Sequence, residues 1–164
     1  MRPIILLLLL TAPWPVLAAL EQSELEIFGW VERVQLMDGL MSVKAVLDTG
    51  AATSSLHASQ IRRFRRGGVR YVGFTVTDPD TAEDLKLEKP LVRTVRIVRH
   101  DGNHQRRPVV KMPICLGNRT QQVEVNLIDR SNLTYPMLLG RSALEGLALV
   151  DAGQTLQHQP DCSQ

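Results

Sequence analysis

Asp48, Thr49 and Gly50 stand in the run Val46-Leu47-Asp48-Thr49-Gly50-Ala51, where one carboxylate follows apolar residues and precedes a turn-forming pair. An ionised carboxylate is costly to remove from water without partners. A tight turn after it supplies them: backbone N–H groups and the Thr49 hydroxyl can point back at the carboxylate, and Gly50 permits the close approach and unusual dihedrals of such a turn. Held in one orientation, the carboxylate suits a general base. If two copies met across a two-fold axis, their like charges would force them to share one proton, so that one group activates water while the other is an acid.

Other chemistry finds less support. There is no His-Glu-x-x-His, no cysteine pair at metal spacing and no glycine-rich phosphate loop, so neither a metal nor a cofactor is predicted. His100 and His104 are four apart, but Asp101-Gly102-Asn103 between them reads as a turn, not a helix face. Ser54 and Ser55 lack a His-Asp relay, and His57 reads as a packed or surface histidine. The basic run Arg62-Arg63-Phe64-Arg65-Arg66, with Arg70 beyond it, has two readings: a solvated loop or helix end, or a contact for an acidic substrate.

The elements that must position Asp48 are strands. Short apolar runs recur at Ile27–Val31, Met41–Leu47, Tyr71–Val76, Leu91–Val98, Val109–Leu116 and Val123–Ile128, with strict alternation in Val123-Glu124-Val125-Asn126-Leu127. Turn chemistry separates them at Met37-Asp38-Gly39, Asp78-Pro79-Asp80, His100 to Asn103 and Leu116-Gly117-Asn118. This pattern predicts an all-β barrel or sandwich. One short helix is expected around Ser142–Leu147, with Ser55–Phe64 as a weaker second candidate.

Among the 164 residues, the first 18 read as a secretory signal peptide: a charged start, the apolar run Ile4–Leu10, and small residues at Ala18 and Ala19. Cleavage is placed after Ala18, with Ala19 the alternative. The run is shorter than the roughly 20 apolar residues a spanning helix needs, and no later segment is long or apolar enough for a stable membrane span. Residues 19–164 are read as one domain, exported to the periplasm or secreted. A net charge of +2 and few aromatic residues argue against a nucleic-acid partner. Cys115 and Cys162 leave two alternatives open in an oxidising compartment, a bridge that pins the C-terminal tail or two separate thiols.

Downstream of Asp48-Thr49-Gly50-Ala51, the run Pro136-Met137-Leu138-Leu139-Gly140-Arg141 completes a pattern that resembles the retropepsin-like aspartic proteases. Asp48 to Ala58, Arg107 to Val110, Asp129-Arg130 and Tyr135 to Arg141 are more closely similar to a bacterial retropepsin-like family that carries the label ATP-dependent zinc protease, sometimes found beside ligases that add glutamate residues. The resemblance implies a closed acid-protease barrel with one short C-terminal helix. It makes Asp48 the catalytic carboxylate, Thr49 the hydroxyl that braces a dyad, Gly50 the close-approach glycine, and Leu138, Leu139 and Gly140 the supporting strand. A flap is implied about Val92–Val110, with His100, Asp101, Gly102 and Asn103 at its tip.

Two departures stand out. The acidic partner that viral retropepsins offer the arginine after the later glycine is here Ala52, so Arg141 is expected to turn to Asp129 or Asp151. The segment Arg62–Glu88 is read as an insertion. Leu149-Val150-Asp151-Ala152-Gly153 has a passing likeness to the motif, but too few residues follow it for a second lobe, so Asp151 is read as structural. One motif per chain implies a homodimer. The reading is an exported aspartic endopeptidase acting on peptide or protein substrates. The alternatives are a non-catalytic peptide- or partner-binding module and a hydrolase of glutamate-rich tails.

Overall fold

The computed structural model describes residues 25–36, 40–98 and 102–162. The expected signal peptide, the turn at Met37-Asp38-Gly39, and the flap-tip residues His100 and Asp101 lie outside the described residues. The described chain forms strands β1 (Glu26–Leu36), β2 (Met41–Asp48), β3 (Ser54–His57), β4 (Ser59–Arg66), β5 (Val69–Thr77) and β6 (Asp84–Pro90). Strands β7 (Arg93–Val98), β8 (His104–Leu116), β9 (Arg119–Ile128) and β10 (Met137–Gly140) follow, then helix α1 (Arg141–Leu144) and strand β11 (Ala148–Thr155).

The larger sheet runs β11-β1-β2-β10-β3-β9-β8-β7, and a further pairing of β1 with β8 closes β1, β2, β10, β3, β9 and β8 into a ring. This is the closed all-β barrel with one short helix that the sequence predicts. Closure leaves no free edge among those six strands. Parity sets its inside: in β2, Met41, Val43, Ala45 and Leu47 are buried while Ser42, Lys44, Val46 and Asp48 take the opposite face. Val110, Met112, Ile114 and Leu116 of β8 and Val123, Val125 and Leu127 of β9 fill the same core.

The expected insertion is a second, three-stranded sheet, β4-β5-β6. Val72, Phe74 and Val76 of β5 are buried in the same hydrophobic cluster as the barrel, so one core runs through both sheets. The weaker helix expected at Ser55–Phe64 is corrected: Ser54–His57 is a barrel strand between β10 and β9, and Ser59–Arg66 pairs with β5. Pairing on both sides and burial of Ser54, Ser55 and Leu56 outweigh any local helical tendency. The basic run is therefore a strand, not a loop or helix end. The expected helix at Ser142–Leu147 is a single turn ending sooner, at Leu144. Gly146 follows at φ +71°, a left-handed conformation that stops it.

The C-terminal tail is held twice. Cys115 and Cys162 form a disulfide with Cα atoms 6.0 Å apart, which settles the open alternatives in favour of the bridge. The fully buried Glu32 carboxylate accepts hydrogen bonds from the backbone N–H groups of Gly29 (2.7 Å), Gln157 (3.1 Å) and His158 (3.1 Å). Those three donors offset the cost of burying a charge.

Candidate active site

β2 delivers Asp48 at its last position, on the face turned away from the core, so the carboxylate is half-buried and not enclosed. Its Oδ1 accepts hydrogen bonds from the N–H of Gly50 (2.8 Å) and of Ala51 (3.2 Å). The predicted cradle is thus made by the backbone. The Thr49 hydroxyl takes no part in it: Thr49 is exposed, and its side chain has no hydrogen-bond partner among the described residues. Of the close approach and unusual dihedrals expected of Gly50, the first is seen and a left-handed φ is not. Its need for glycine is spatial, since a Cβ there would sit 3.1 Å from Asp48 Oδ1.

β10 runs parallel to β2 with Gly140 opposite Asp48 and Leu138 opposite Val46, the supporting strand expected from the sequence. Gly140 brings two segments into contact. A Cβ on it would meet the Thr53 carbonyl at 2.7 Å and the Ala51 oxygen at 2.9 Å, backbone atoms that cannot turn aside. Its N–H donates to Ser54 Oγ (3.2 Å), and the next residue's N–H donates to Ala51 O (2.9 Å).

Arg141 is corrected. It pairs with neither Asp129 nor Asp151; its NH1 group donates to the carbonyl oxygens of Thr49 (3.0 Å) and Gly50 (2.9 Å). With Ala52 offering no carboxylate, the guanidinium turns to the active-site turn itself and holds its outer side. Asp129 instead lies 3.5 Å from His57 Nδ1 and accepts from the Ser131 N–H, which holds its carboxyl below the usual carboxylate range. Asp151 is exposed and accepts from the Gly153 N–H (2.8 Å), a local turn contact.

Registers place further polar groups on the face of Asp48. Val46, Leu138, Ser55, Asn126 and Val109 lie side by side across β2, β10, β3, β9 and β8. In-register neighbours share a face, and so do residues two apart on one strand, which puts Asp48 and Arg107 on one face of the sheet, two residues to opposite sides of that row and at diagonally opposite corners. The predicted alternation in Val123–Leu127 breaks at Asn126, which is 3% exposed instead of facing water. Its amide donates to Ser54 O (2.6 Å) and its oxygen accepts from Arg107 (3.1 Å).

Beside that row, Arg130 donates to Ser55 Oγ (2.9 Å) and to Tyr135 O (3.2 Å), and its N–H donates to His57 Nδ1 (2.8 Å). Burial first, and the charge of Arg107 second, push the Arg130 guanidinium below its usual range. Two cations are thus brought near each other on separate elements. No sequence signal gave Asn126, Arg107 or Arg130 a role of its own: Arg107 and Arg130 lie within the segments similar to the family, and Asn126 is one of two polar residues in an alternating run. The β7–β8 hairpin that carries Arg107 occupies the expected flap segment, with Val98 opposite His104 and Gly102 and Asn103 exposed at its end.

A family model described as "Retropepsin-like aspartic endopeptidase RimB" matches residues 27–160. The "Probable alpha-L-glutamate ligase" of Shewanella pealeana is 35% identical over 119 residues, covering 71% of this chain and 26% of that protein. The protein of the same name from Parasynechococcus marenigrum is 36% identical over 115 residues, covering 69% of this chain and 25% of its own. The chain therefore spans about a quarter of the length of these curated relatives. A crystal structure of a Legionella pneumophila protein of unknown function superposes with a TM-score of 0.71 at 36% identity, covering 81% of this chain and 98% of that one.

Proposed function

Because the chain belongs to the RimB-like family of retropepsin-like aspartic endopeptidases, we propose that it hydrolyses peptide bonds with a water activated by Asp48 residues from two copies. The observation that carries this reading is the Asp48 carboxylate, half-exposed and fixed by the Gly50 and Ala51 amides. A base held this way needs no reorganisation when it takes a proton from water. The second carboxylate, still protonated, hydrogen-bonds the substrate carbonyl as water adds. The leaving nitrogen then takes a proton and no covalent intermediate forms. The exposed Thr49 hydroxyl and the exposed turn around it are the surface through which a second copy would complete the site. The pattern of residues 1–18 supports action outside the cytoplasm.

Arg107 and Arg130 favour a narrower form of this reading, in which acidic peptides such as glutamate-rich tails are the substrate. Arg107 shares the sheet face of Asp48, Arg130 is bonded to Ser55 on that face, and their guanidinium forks suit carboxylate side chains. The names of the relatives, which speak of glutamate ligation, agree with that preference. The test is cleavage of a mixed peptide library across pH, comparing the full chain with Asp48→Asn and Arg130→Gln. Asp48→Asn should abolish cleavage, and Arg130→Gln should raise KM for acidic peptides about tenfold or more while sparing neutral ones. Undiminished cutting by Asp48→Asn would make a site elsewhere the better account, and failure of the unaltered chain to cut any peptide would favour a binding module.

A further inference from the structure

The inserted sheet divides its arginines by face. On one side, Arg62 donates to Glu88 Oε1 (2.6 Å) and Arg66 donates to Glu88 Oε2, while both guanidinium groups lie over Phe64. Those two charges are met within the sheet. On the other side, Arg63 and Arg65 stand two apart on β4, and Arg65 lies directly opposite Arg70 on β5. Among the described residues, none of these three has a carboxylate partner; Arg65 donates only to the Gly68 carbonyl, at 3.4 Å.

Like charges directly opposite one another destabilise a strand pair. The three line a cavity of about 260 Å³ together with residues 64 and 71 of the two strands and with Leu91 and Thr94. Thr94 belongs to β7, the outer strand of the hairpin that carries Arg107. The cavity therefore spans the seam between the inserted sheet and that hairpin.

We propose that Arg63, Arg65 and Arg70 form a binding site for a phosphate group, separate from Asp48. A carboxylate has two oxygens and one charge, too few for three guanidinium forks. A phosphate brings at least three acceptor oxygens and a charge near −2, and each fork can take oxygens in its own plane. The Thr94 hydroxyl adds a neutral donor, and a bound phosphate would tie the insert to the β7–β8 hairpin. The group could belong to a soluble phosphate monoester or to the terminal phosphate of a lipid such as phosphatidic acid.

The test titrates the full chain with inorganic phosphate, following arginine side-chain resonances by NMR. In parallel, the chain is sedimented with vesicles of phosphatidic acid and phosphatidylcholine or of phosphatidylcholine alone. The proposal expects saturable binding that Arg65→Gln with Arg70→Gln weakens at least about tenfold. Lys86→Gln with Lys111→Gln, which removes as much charge elsewhere, should leave it unchanged. Binding to anionic vesicles without saturable free phosphate identifies a lipid headgroup; the reverse identifies a soluble phosphate. If the double variant fails to fold, Arg70→Gln alone is read in the same way. Absence of saturable binding to either probe, or equal weakening by the lysine variant, would overturn the proposal.

Discussion

At the scale of single residues, the candidate site rests on close backbone approach. Gly140 sits where any side chain would strike the carbonyls of Thr53 and Ala51, and those carbonyls belong to the segment that carries the turn after Asp48. Gly140→Ala should therefore cost about 1 to 3 kcal/mol, the usual range for overpacking, and should lower activity beyond what lost stability explains. Chemical denaturation together with kcat at a temperature where both forms are folded checks this. An unchanged denaturation midpoint would refute the contact argument. Arg141 belongs to the same scale. The sequence carried its importance, but its partners are carbonyl oxygens, and no pattern of side-chain types can point to a main-chain acceptor.

At the scale of elements, the barrel strands were legible because their apolar runs also mark buried faces, as in β2 and β8. Strands β4 and β6 were not: β4 is largely exposed and crowded with arginines, and β6 alternates only between partly buried and exposed residues. Their strand character comes from pairing with β5, a tertiary effect. Glu88 joins them. Hydrogen bonding to Arg66 holds its carboxyl below the usual carboxylate range; loss of solvent is the next largest effect and opposes it, and the charge of Arg66 with the hydrogen bond and charge of Arg62 reinforce the lowering. The folded chain thus releases this proton more readily than the unfolded one. The resulting stabilisation is present above the unfolded carboxylate's range and is lost as pH falls through the lower folded value. Glu88→Gln should accordingly lower stability near neutral pH and flatten its decline on acidification. Thermal unfolding from pH 6 to pH 3 measures both, and an acid limb identical to that of the unaltered chain would show that Glu88 contributes nothing to it.

At the scale of the whole molecule, the closed ring, the supporting strand and the turn around Asp48 followed from motif and periodicity. The tail clasp did not. Glu32 looks like any polar residue in an apolar strand, and only its three N–H donors, two of them from residues 157 and 158, explain why a carboxylate lies buried there. The sheet face that Asp48 and Arg107 share was hidden for a related reason: it crosses five strands far apart in sequence, and register alone assembles it. The chain carries one Asp-Thr-Gly motif, so the proposed dyad takes its second carboxylate from another copy. The central claim, that one Asp48 from each of two copies makes one catalytic centre, is tested most directly by mixing. Wild-type and Asp48→Asn chains, equilibrated at constant total concentration, should give peptidase activity that falls as the square of the wild-type fraction. An equal mixture would then retain about a quarter of the full rate, because only pairs of wild-type chains cut. A linear fall, to about one half at equal mixture, would mean that each chain carries a complete site by itself and would contradict the account.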